Sequence, residues 1–171
     1  MALNAGVKLV QLRLTSAWLA GNTRASAHDI IACSVRLCRQ HTASLLCNLP
    51  EELSLPEGVG VHFSSMRLNA LTHRPDVALV AASCHNRREL EQAQAIGADF
   101  AVLSPVKKTR SHPDAQSLGW KAFHALVDDA NIPVYALGGM TESDIDQAWQ
   151  SGGQGIASIS AFWNESHRAD S

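Results

Sequence analysis

The stretch Val77-Ala-Leu-Val-Ala-Ala82 is an unbroken run of apolar residues. Because it shows no polar alternation, both faces of the strand that it predicts must be covered, as in a parallel sheet between two layers. Asn86-Arg-Arg-Glu89 follows with the spacing of a helix capping box, and Gly97 ends the helical pattern that begins there. This strand followed by a helix predicts a βα unit.

The same alternation continues in both directions along the chain. Pro50, Pro56 and Gly58 interrupt it where one helix is expected, so that helix is predicted to be stunted or absent. The predicted strands are 8–13, 44–47, 59–62, 77–82, 100–103, 132–137 and 155–159. The predicted helices are 26–40, 86–97, 120–127 and 141–152. Short strands alternating with helices predict an α/β fold with a parallel sheet. It is either a small barrel lacking one βα unit or an open sheet, because a closed barrel has eight strands and usually at least about 200 residues.

Composition restricts the classes of partner. The chain has 171 residues, 46% apolar and 18% charged, which predicts one domain over 1–171 with a real core. Its 14 Lys and Arg against 16 Asp and Glu give a net charge of −2, so nucleic acid and anionic membranes are not expected partners. No apolar stretch approaches the roughly 20 residues that span a bilayer.

Four cysteines, Cys33, Cys38, Cys47 and Cys84, fit neither a Cys-x-x-Cys pair nor a dense disulfide framework. We expect reduced thiols in or near the core.

The N-terminal residues show no export signal, so a cytoplasmic location is predicted.

Two loops after the last predicted strands are candidates for phosphate binding. Leu137-Gly-Gly-Met-Thr-Glu142 places Gly138 and Gly139 before a helix, where exposed N–H groups favour an anion, although a tight turn alone would explain the glycines. The next strand leads into Ser158-Ile-Ser-Ala161, which adds further N–H groups and the Ser160 hydroxyl. Adjacent final loops form the phosphate site of many barrels, so together they predict a phosphate cradle.

The segment 104–118 is a third candidate, because it combines cations, hydroxyls and a histidine in one long loop. It is either a lid that closes over an anionic substrate or a solvated surface loop, and its length favours a lid. His62 and His85 also follow predicted strands, but lone histidines are more often structural groups than bases. The strand ends lack carboxylates, so Mg²⁺ has no obvious site there.

Several segments in order resemble the thiamine phosphate synthase and TenI family. They are Gly97-Ala-Asp-Phe-Ala-Val-Leu-Ser-Pro-Val106, Thr109-Arg-Ser-His-Pro113, Leu118-Gly-Trp120, Pro133-Val-Tyr-Ala-Leu-Gly-Gly139 and Gly155-Ile-Ala-Ser-Ile-Ser-Ala161. The resemblance extends from Gly6 to Trp163 and is strongest to the synthase-like domain that follows a Nudix (MutT-like) hydrolase domain in bacterial fusion proteins.

The resemblance implies a TIM-type (β/α)8 barrel. Ala2 to Val7 looks like the end of the first helix, so the first strand and most of that helix are missing and seven parallel strands remain. An open barrel edge would expose unpaired backbone, so we expect another element or a second subunit to cover it, in a homodimer or a swapped assembly.

The resemblance also implies a reaction in which the diphosphate of an aminopyrimidine leaves with the help of Mg²⁺ and the nitrogen of a thiazole phosphate takes its place. Arg13, Ser83 and His112 are the candidate catalytic residues. The residues that match substrate-binding positions are Gln11 and Asn48 for the pyrimidine diphosphate, and Thr109, Arg110, Ser111, Gly138, Gly139, Ile159 and Ser160 for the thiazole phosphate.

The departures from the family pattern affect one half of this site. Leu49 and Arg67 stand where metal-binding aspartates are usual, Leu14-Thr15 replaces Glu-Lys, and His112 replaces a lysine. We therefore expect a domain of thiamine biosynthesis that binds a phosphorylated thiazole with weak or lost synthase activity. Mg²⁺ would be a cofactor only if that activity survives, and Arg67 would supply some positive charge in its place.

Three alternatives stay open. A non-catalytic phosphate-binding or regulatory module would bind without turnover, and a barrel enzyme with another phosphorylated substrate would use the same loops. A TenI-like thiazole tautomerase has its histidine where this chain has Pro105, so it would have to recruit His112 or His85.

Overall fold

The computed structural model describes residues 2–48, 54–109 and 116–162. Within these ranges the centre of the fold is one sheet of seven parallel strands in chain order. The strands are β1 Leu9–Arg13, β2 Ser44–Asn48, β3 Gly60–Phe63, β4 Val80–Cys84, β5 Phe100–Leu103, β6 Val134–Ala136 and β7 Gly155–Ile156. The α-helices are α1 Ser16–Ala20, α2 Arg24–Gln40, α3 Ser65–Ala70, α4 Arg87–Ala95, α5 Gly119–Val127 and α6 Ile145–Gln150. The predicted parallel α/β fold is confirmed.

The strand order is that of a barrel with one unit missing. Each strand pairs in parallel with the next in sequence, from β1 with β2 to β6 with β7. No pairing joins β1 to β7 in the described ranges, so the sheet is a half-barrel with an open seam between these two strands. The carboxyl ends of all seven strands meet at one edge, which is where the connecting loops can form a site.

The two faces of the sheet bury different clusters, because side chains alternate along a strand. Leu46, Ala81, Phe100 and Val102 pack together on the concave face. The alternate residues of the same strands pack against the helices in two larger clusters, one around Phe123 and the other around Ile31.

Two strands differ from the prediction by three residues at one end, and the other strands by at most two. The strand expected at 77–82 lies at Val80–Cys84, because its register is set by Val61 of β3 and Leu103 of β5. The strand expected at 155–159 ends at Ile156. There Ser158 Oγ accepts hydrogen bonds from the N–H groups of Ser160 and Ala161, and this local bonding turns the chain out of the sheet.

Helix α4 begins and ends as predicted. The Glu89 N–H donates to Asn86 Oδ1 at 3.0 Å, as a capping box requires. The Glu89 carboxylate, however, accepts from the His85 N–H at 2.7 Å, one residue earlier than the box pattern. Gly97 ends the helical segment with φ +73°, and the Ala98 N–H reaches back to Ala93 O.

Two short helices were not predicted. Helix α1 has five residues and α3 has six, which is too short for a helical hydrophobic period to be recognised. Each is capped by a hydroxyl, Thr15 for α1 and Ser64 for α3. Residues 2–6, matched above to the end of a first helix, form consecutive turns instead. In the described part of the connection from β2 to β3, residues 54–59 hold no helix, as expected.

The four cysteines are free thiols, and Cys38, Cys47 and Cys84 are buried. Burial, with the neighbouring Cys38, raises the pKa of Cys47 to about 11. Burial, with the charge of Glu89, raises the pKa of Cys84 to about 12. These two thiols are protonated near neutral pH. The burial of Cys38, Cys47 and Cys84 confirms their prediction as core groups, and Cys33 is half-buried. In the ranges that the structure describes, no helix is both long and apolar enough to cross a membrane.

Candidate functional site at the carboxyl ends of the strands

The root of the long loop after β5 is fastened to the glycine loop after β6. The Val106 N–H donates to Leu137 O at 2.8 Å, and the Lys107 N–H donates to Gly138 O at 3.1 Å. Residues 105–108 therefore lie directly against Gly138 and Gly139, and we call these four residues the lid root. Thr109 is the last described residue of the segment, and the predicted site residues Arg110, Ser111 and His112 lie outside the described residues.

Both glycines of this contact occupy positions that a side chain would not fit. A Cβ on Gly138 would lie 2.8 Å from Pro105 Cα, and one on Gly139 would lie 2.6 Å from Lys108 O. The two residues also have positive φ, +100° and +66°. Glycine is required here by the close approach of two backbones as well as by the turn, so the pair does more than make a tight strand-to-helix connection.

Ser158, which sequence reasoning missed, links the glycine loop to the last loop. Its hydroxyl donates to Met140 O at 3.2 Å and accepts from the N–H groups of Ser160 and Ala161. Ile159 and Ser160 are exposed beside it, as is Gly139. The predicted cradle residues after β6 and β7 are thus brought together at one end of the sheet.

A buried carboxylate ties the lid root to the same place. Asp144 accepts from Lys107 Nζ and, at 2.9 Å each, from the N–H and the hydroxyl of Thr141. Burial raises the pKa of Asp144, but these hydrogen bonds and the charge of Lys107 outweigh it and hold the pKa below its ordinary value. The Thr141-x-x-Asp144 spacing is typical of a capping box and so indicates the bond between these two residues. No sequence spacing indicates that Lys107 pairs with Asp144.

Removing the Lys107 ammonium is expected to loosen this contact. The Lys107 side chain is 42% exposed and that of Asp144 only 9%, so the pair is partly screened, and Lys107→Met should cost about 1–2 kcal/mol in the free energy of unfolding. The pKa of Asp144 should rise, and carboxyl NMR can follow it beside urea unfolding. Lys108→Met, at the exposed neighbouring position, is the matched control. Equal free energies of unfolding for the two variants would show that the ion pair between Lys107 and Asp144 does not stabilise the protein.

The second group of predicted residues lies on the concave face. Arg13 pairs in register with Asn48, and Gln11 precedes Arg13 by two residues on the same face of β1. Ser83 stands on β4 two residues after Ala81, a member of the concave cluster. Gln11, Arg13, Asn48 and Ser83 therefore share one face of the half-barrel, and Arg13 gives that face a permanent positive charge.

His62 belongs to the same face, where sequence reasoning found no partner for it. It is 3% exposed on β3, in register with Ala81, and its Nε2 lies 2.8 Å from Ser83 Oγ. Burial lowers the pKa of His62 to about 4, with a further contribution from the positive charge of Arg13. The imidazole is neutral at physiological pH, and its partner is a hydroxyl on the next strand.

His85 is exposed at the end of β4. Its Nδ1 lies 2.7 Å from the backbone carbonyl of Ser104, which can only accept, so Nδ1 carries the proton in the neutral ring. The second nitrogen, Nε2, then bears a lone pair. His85 thus lies at the open, carboxyl end of the strands, which we call the mouth of the half-barrel.

The described residues do not fit a magnesium ion. They contain no group of three or more His, Cys, Asp or Glu side chains that could hold a metal. The carboxylates near the strand ends, Glu89 and Asp144, are engaged by backbone and side-chain donors. Arg67, at one position where the resemblance implies a metal ligand, places its guanidinium 5.2 Å from the centre of the Phe63 ring. An oxygen-rich site of the kind Mg²⁺ prefers is not built from these groups.

A parallel half-barrel with its polar residues at the carboxyl ends of the strands is a TIM-barrel type of domain with the site in the usual place. The model of the family described as thiamine monophosphate synthase matches residues 1–162. The chain belongs to this family, so it is a thiamine phosphate synthase-like domain of thiamine biosynthesis.

Individual relatives agree with this assignment. The "Putative thiamine-phosphate synthase" of Geobacter sulfurreducens is 34% identical over 169 residues, covering 94% of this chain and 76% of that protein. The "Putative thiamine-phosphate synthase 2" of Aquifex aeolicus is 38% identical over 129 residues, covering 74% and 69%. A "Thiamine biosynthesis bifunctional protein ThiM/ThiE" of Symbiobacterium thermophilum is 32% identical over 165 residues, which are 93% of this chain and 33% of that protein. That fusion is a different one from the Nudix fusion expected from the sequence.

A solved structure shows the same fold. The thiamine phosphate pyrophosphorylase of Pyrococcus furiosus superposes with a TM-score of 0.71 at 22% identity, covering 92% of this chain and 75% of that one. The expected TIM-type architecture is confirmed.

Proposed function

We propose that the domain binds a phosphorylated thiazole at the mouth of the half-barrel, between the glycine loop, the lid root and the loop after β7. One observation carries the proposal. The backbone of Lys108 passes so close to Gly139 that a Cβ on Gly139 would lie 2.6 Å from Lys108 O. This close approach supports the proposal because it brings residues 105–108 against the exposed Gly139, while Ser158 links the loop after β7 to the same glycine loop. The exposed Gly139 backbone and the exposed Ser160 would be the groups that bind a phosphate, since the N–H groups of Ser160 and Ala161 are bound to Ser158 Oγ.

We further propose that synthase activity is weak or lost. Gln11, Arg13, Asn48 and Ser83 would hold an aminopyrimidine diphosphate on the concave face, since Arg13 and the amides can bind its anionic and polar groups. The charge that develops on a leaving diphosphate needs strong stabilisation. With no magnesium site among the described residues, Arg13 and Arg67 would have to supply it.

The test is the formation of thiamine phosphate from the aminopyrimidine diphosphate and the thiazole phosphate, with Mg²⁺ and with EDTA, read as fluorescent thiochrome. A parallel calorimetric titration measures thiazole phosphate binding. Binding with little product, the same in both buffers, is the expected result. Efficient magnesium-dependent synthesis would overturn the proposed loss of the metal site, and absent thiazole phosphate binding would overturn the mouth as the phosphate site.

A thiazole tautomerase is the second candidate, favoured by the fixed tautomer of His85 described above. A base at the mouth could take a proton from a bound thiazole carboxylate phosphate. His85→Asn should then abolish isomerisation, followed by NMR of the substrate, and leave its binding within about twofold. No isomerisation by the wild type, with thiazole phosphate bound, would leave a non-catalytic binding module.

We also propose that a second copy covers the open seam. Within the described ranges the five residues of β1 pair on one side only, and an unpaired parallel edge invites association. Light scattering after gel filtration should give a dimer, and a monomer at micromolar concentration would refute this assembly.

We place the protein in the cytoplasm, because its four cysteines are free thiols.

A further inference from the structure

We infer that His62 is a positioning residue, which donates its Nε2–H to Ser83 Oγ and so directs the Ser83 hydroxyl proton toward an anionic ligand on the concave face. The inference rests on the proposed function, because it requires that this face binds an anion. It assigns a role to a residue that the sequence analysis treated as structural.

His62 and Ser83 form a close pair across two neighbouring strands. His62 Nε2 and Ser83 Oγ are 2.8 Å apart on adjacent parallel strands, at a separation of 21 residues in sequence. His62 is 3% exposed, so a ligand cannot reach its ring directly, whereas Ser83 is half-buried. Any effect of His62 on a ligand must therefore pass through Ser83.

The His62 ring is neutral in the folded protein. Burial in the sheet disfavours an imidazolium, and the positive charge of Arg13 disfavours it further. A neutral imidazole has one N–H and one lone pair, so the bond to Ser83 has a single direction.

The direction of the hydrogen bond between His62 and Ser83 decides what Ser83 offers to a ligand. If Ser83 donated its proton to Nε2, its oxygen would present only lone pairs to the concave face and would repel an anion. If Nε2–H donates instead, the Ser83 O–H can donate to the ligand, and the two bonds strengthen each other. Arg13 and the side-chain amides of Gln11 and Asn48 supply donors to the same face. The arrangement of donors around Ser83 therefore favours the Nε2–H tautomer.

The test combines a spectroscopic signature with binding of inorganic pyrophosphate to the full chain. Nitrogen-15 NMR of the wild type should show Nε2 of His62 protonated and Nδ1 unprotonated. In calorimetric titrations, His62→Leu and Ser83→Ala should each weaken pyrophosphate binding roughly tenfold, the effect of losing one buried hydrogen-bond donor. His62→Gln places an amide N–H close to the same position and should restore affinity to within about threefold.

The double variant His62→Leu with Ser83→Ala separates positioning from general damage. It should bind no more weakly than Ser83→Ala alone, since both changes remove one interaction. Additive losses, or a wild-type ring protonated on Nδ1, would overturn the inference. Failure of the wild type to bind pyrophosphate would overturn the proposed anion site instead, and the NMR signature would still decide the direction of the bond even where His62→Leu does not fold.

Discussion

Substitution of Gly139 by alanine should reduce the affinity for thiazole phosphate by more than tenfold and lower the free energy of unfolding by about 2–4 kcal/mol. The positive φ of +66° is unfavourable for any residue with a Cβ, and that Cβ would lie 2.6 Å from Lys108 O. The clashing atom is backbone, so the lid root must move away from the glycine loop. Gly139→Asp should be worse, because it adds a negative charge where a phosphate is to bind.

Gly58→Ala provides the matched control for this substitution. Gly58 has a comparable φ of +80°, but a Cβ there would have no atom within 4 Å. Its loss of stability should be limited to about 1 kcal/mol, the cost of the backbone conformation alone. Urea unfolding and calorimetric titration with thiazole phosphate measure both quantities. If Gly139→Ala behaved like Gly58→Ala, the contact between the glycine loop and the lid root would have no part in binding.

The fold was predictable because its signals are local. The apolar run around Val80 and the capping residues of α4 report strand and helix directly. Strand bounds were less predictable, because the register of β4 depends on hydrogen bonds to β3 and β5, which are distant in sequence. Helices α1 and α3 were missed because one turn and a half cannot show a period.

The candidate site was predictable from the sequence only where a local motif indicates it. Gly138 and Gly139 were found because glycine pairs after strands are distinctive, and the structure adds the backbone that they approach. The partners His62 with Ser83 and Lys107 with Asp144 were not found, since 21 and 37 residues separate them. Contacts between neighbouring strands and loops of a barrel have no fixed sequence spacing.

The two halves of the candidate site differ in how they are built. The mouth near Gly139 depends on backbone, held by Ser158 and by Asp144, so glycine and small polar residues suffice there. The concave face depends on side chains, and its polar groups include one arginine, two amides, the hydroxyls of Ser83 and Tyr135, and a neutral imidazole. A face with this composition would bind an anion by direct hydrogen bonds, as we propose. It offers no carboxylate cage for a metal, which is why the assay with EDTA separates the two modes of action.

The buried His62 should also make the protein sensitive to acid. Its pKa is about 4 in the folded chain, against 6.5 for the exposed group in an unfolded chain. Between these values the unfolded state binds more protons, so stability falls as the pH falls. The contribution of His62 is fully present above pH 6.5 and should be reduced by about 3 kcal/mol at pH 4.

His62→Gln isolates this contribution, because glutamine keeps a hydrogen-bond donor but does not titrate. The difference in unfolding free energy between wild type and variant, measured in urea from pH 7.5 to 4, should change in favour of the variant by about 3 kcal/mol. The depressed pKa of Asp144 affects both proteins alike and so cancels from the difference. Parallel pH profiles would mean that the ring becomes charged in the folded state without penalty. A charged ring would donate from both nitrogens, so it would have no single tautomer. The measurement therefore also tests whether His62 is neutral, which the proposed role of Ser83 requires.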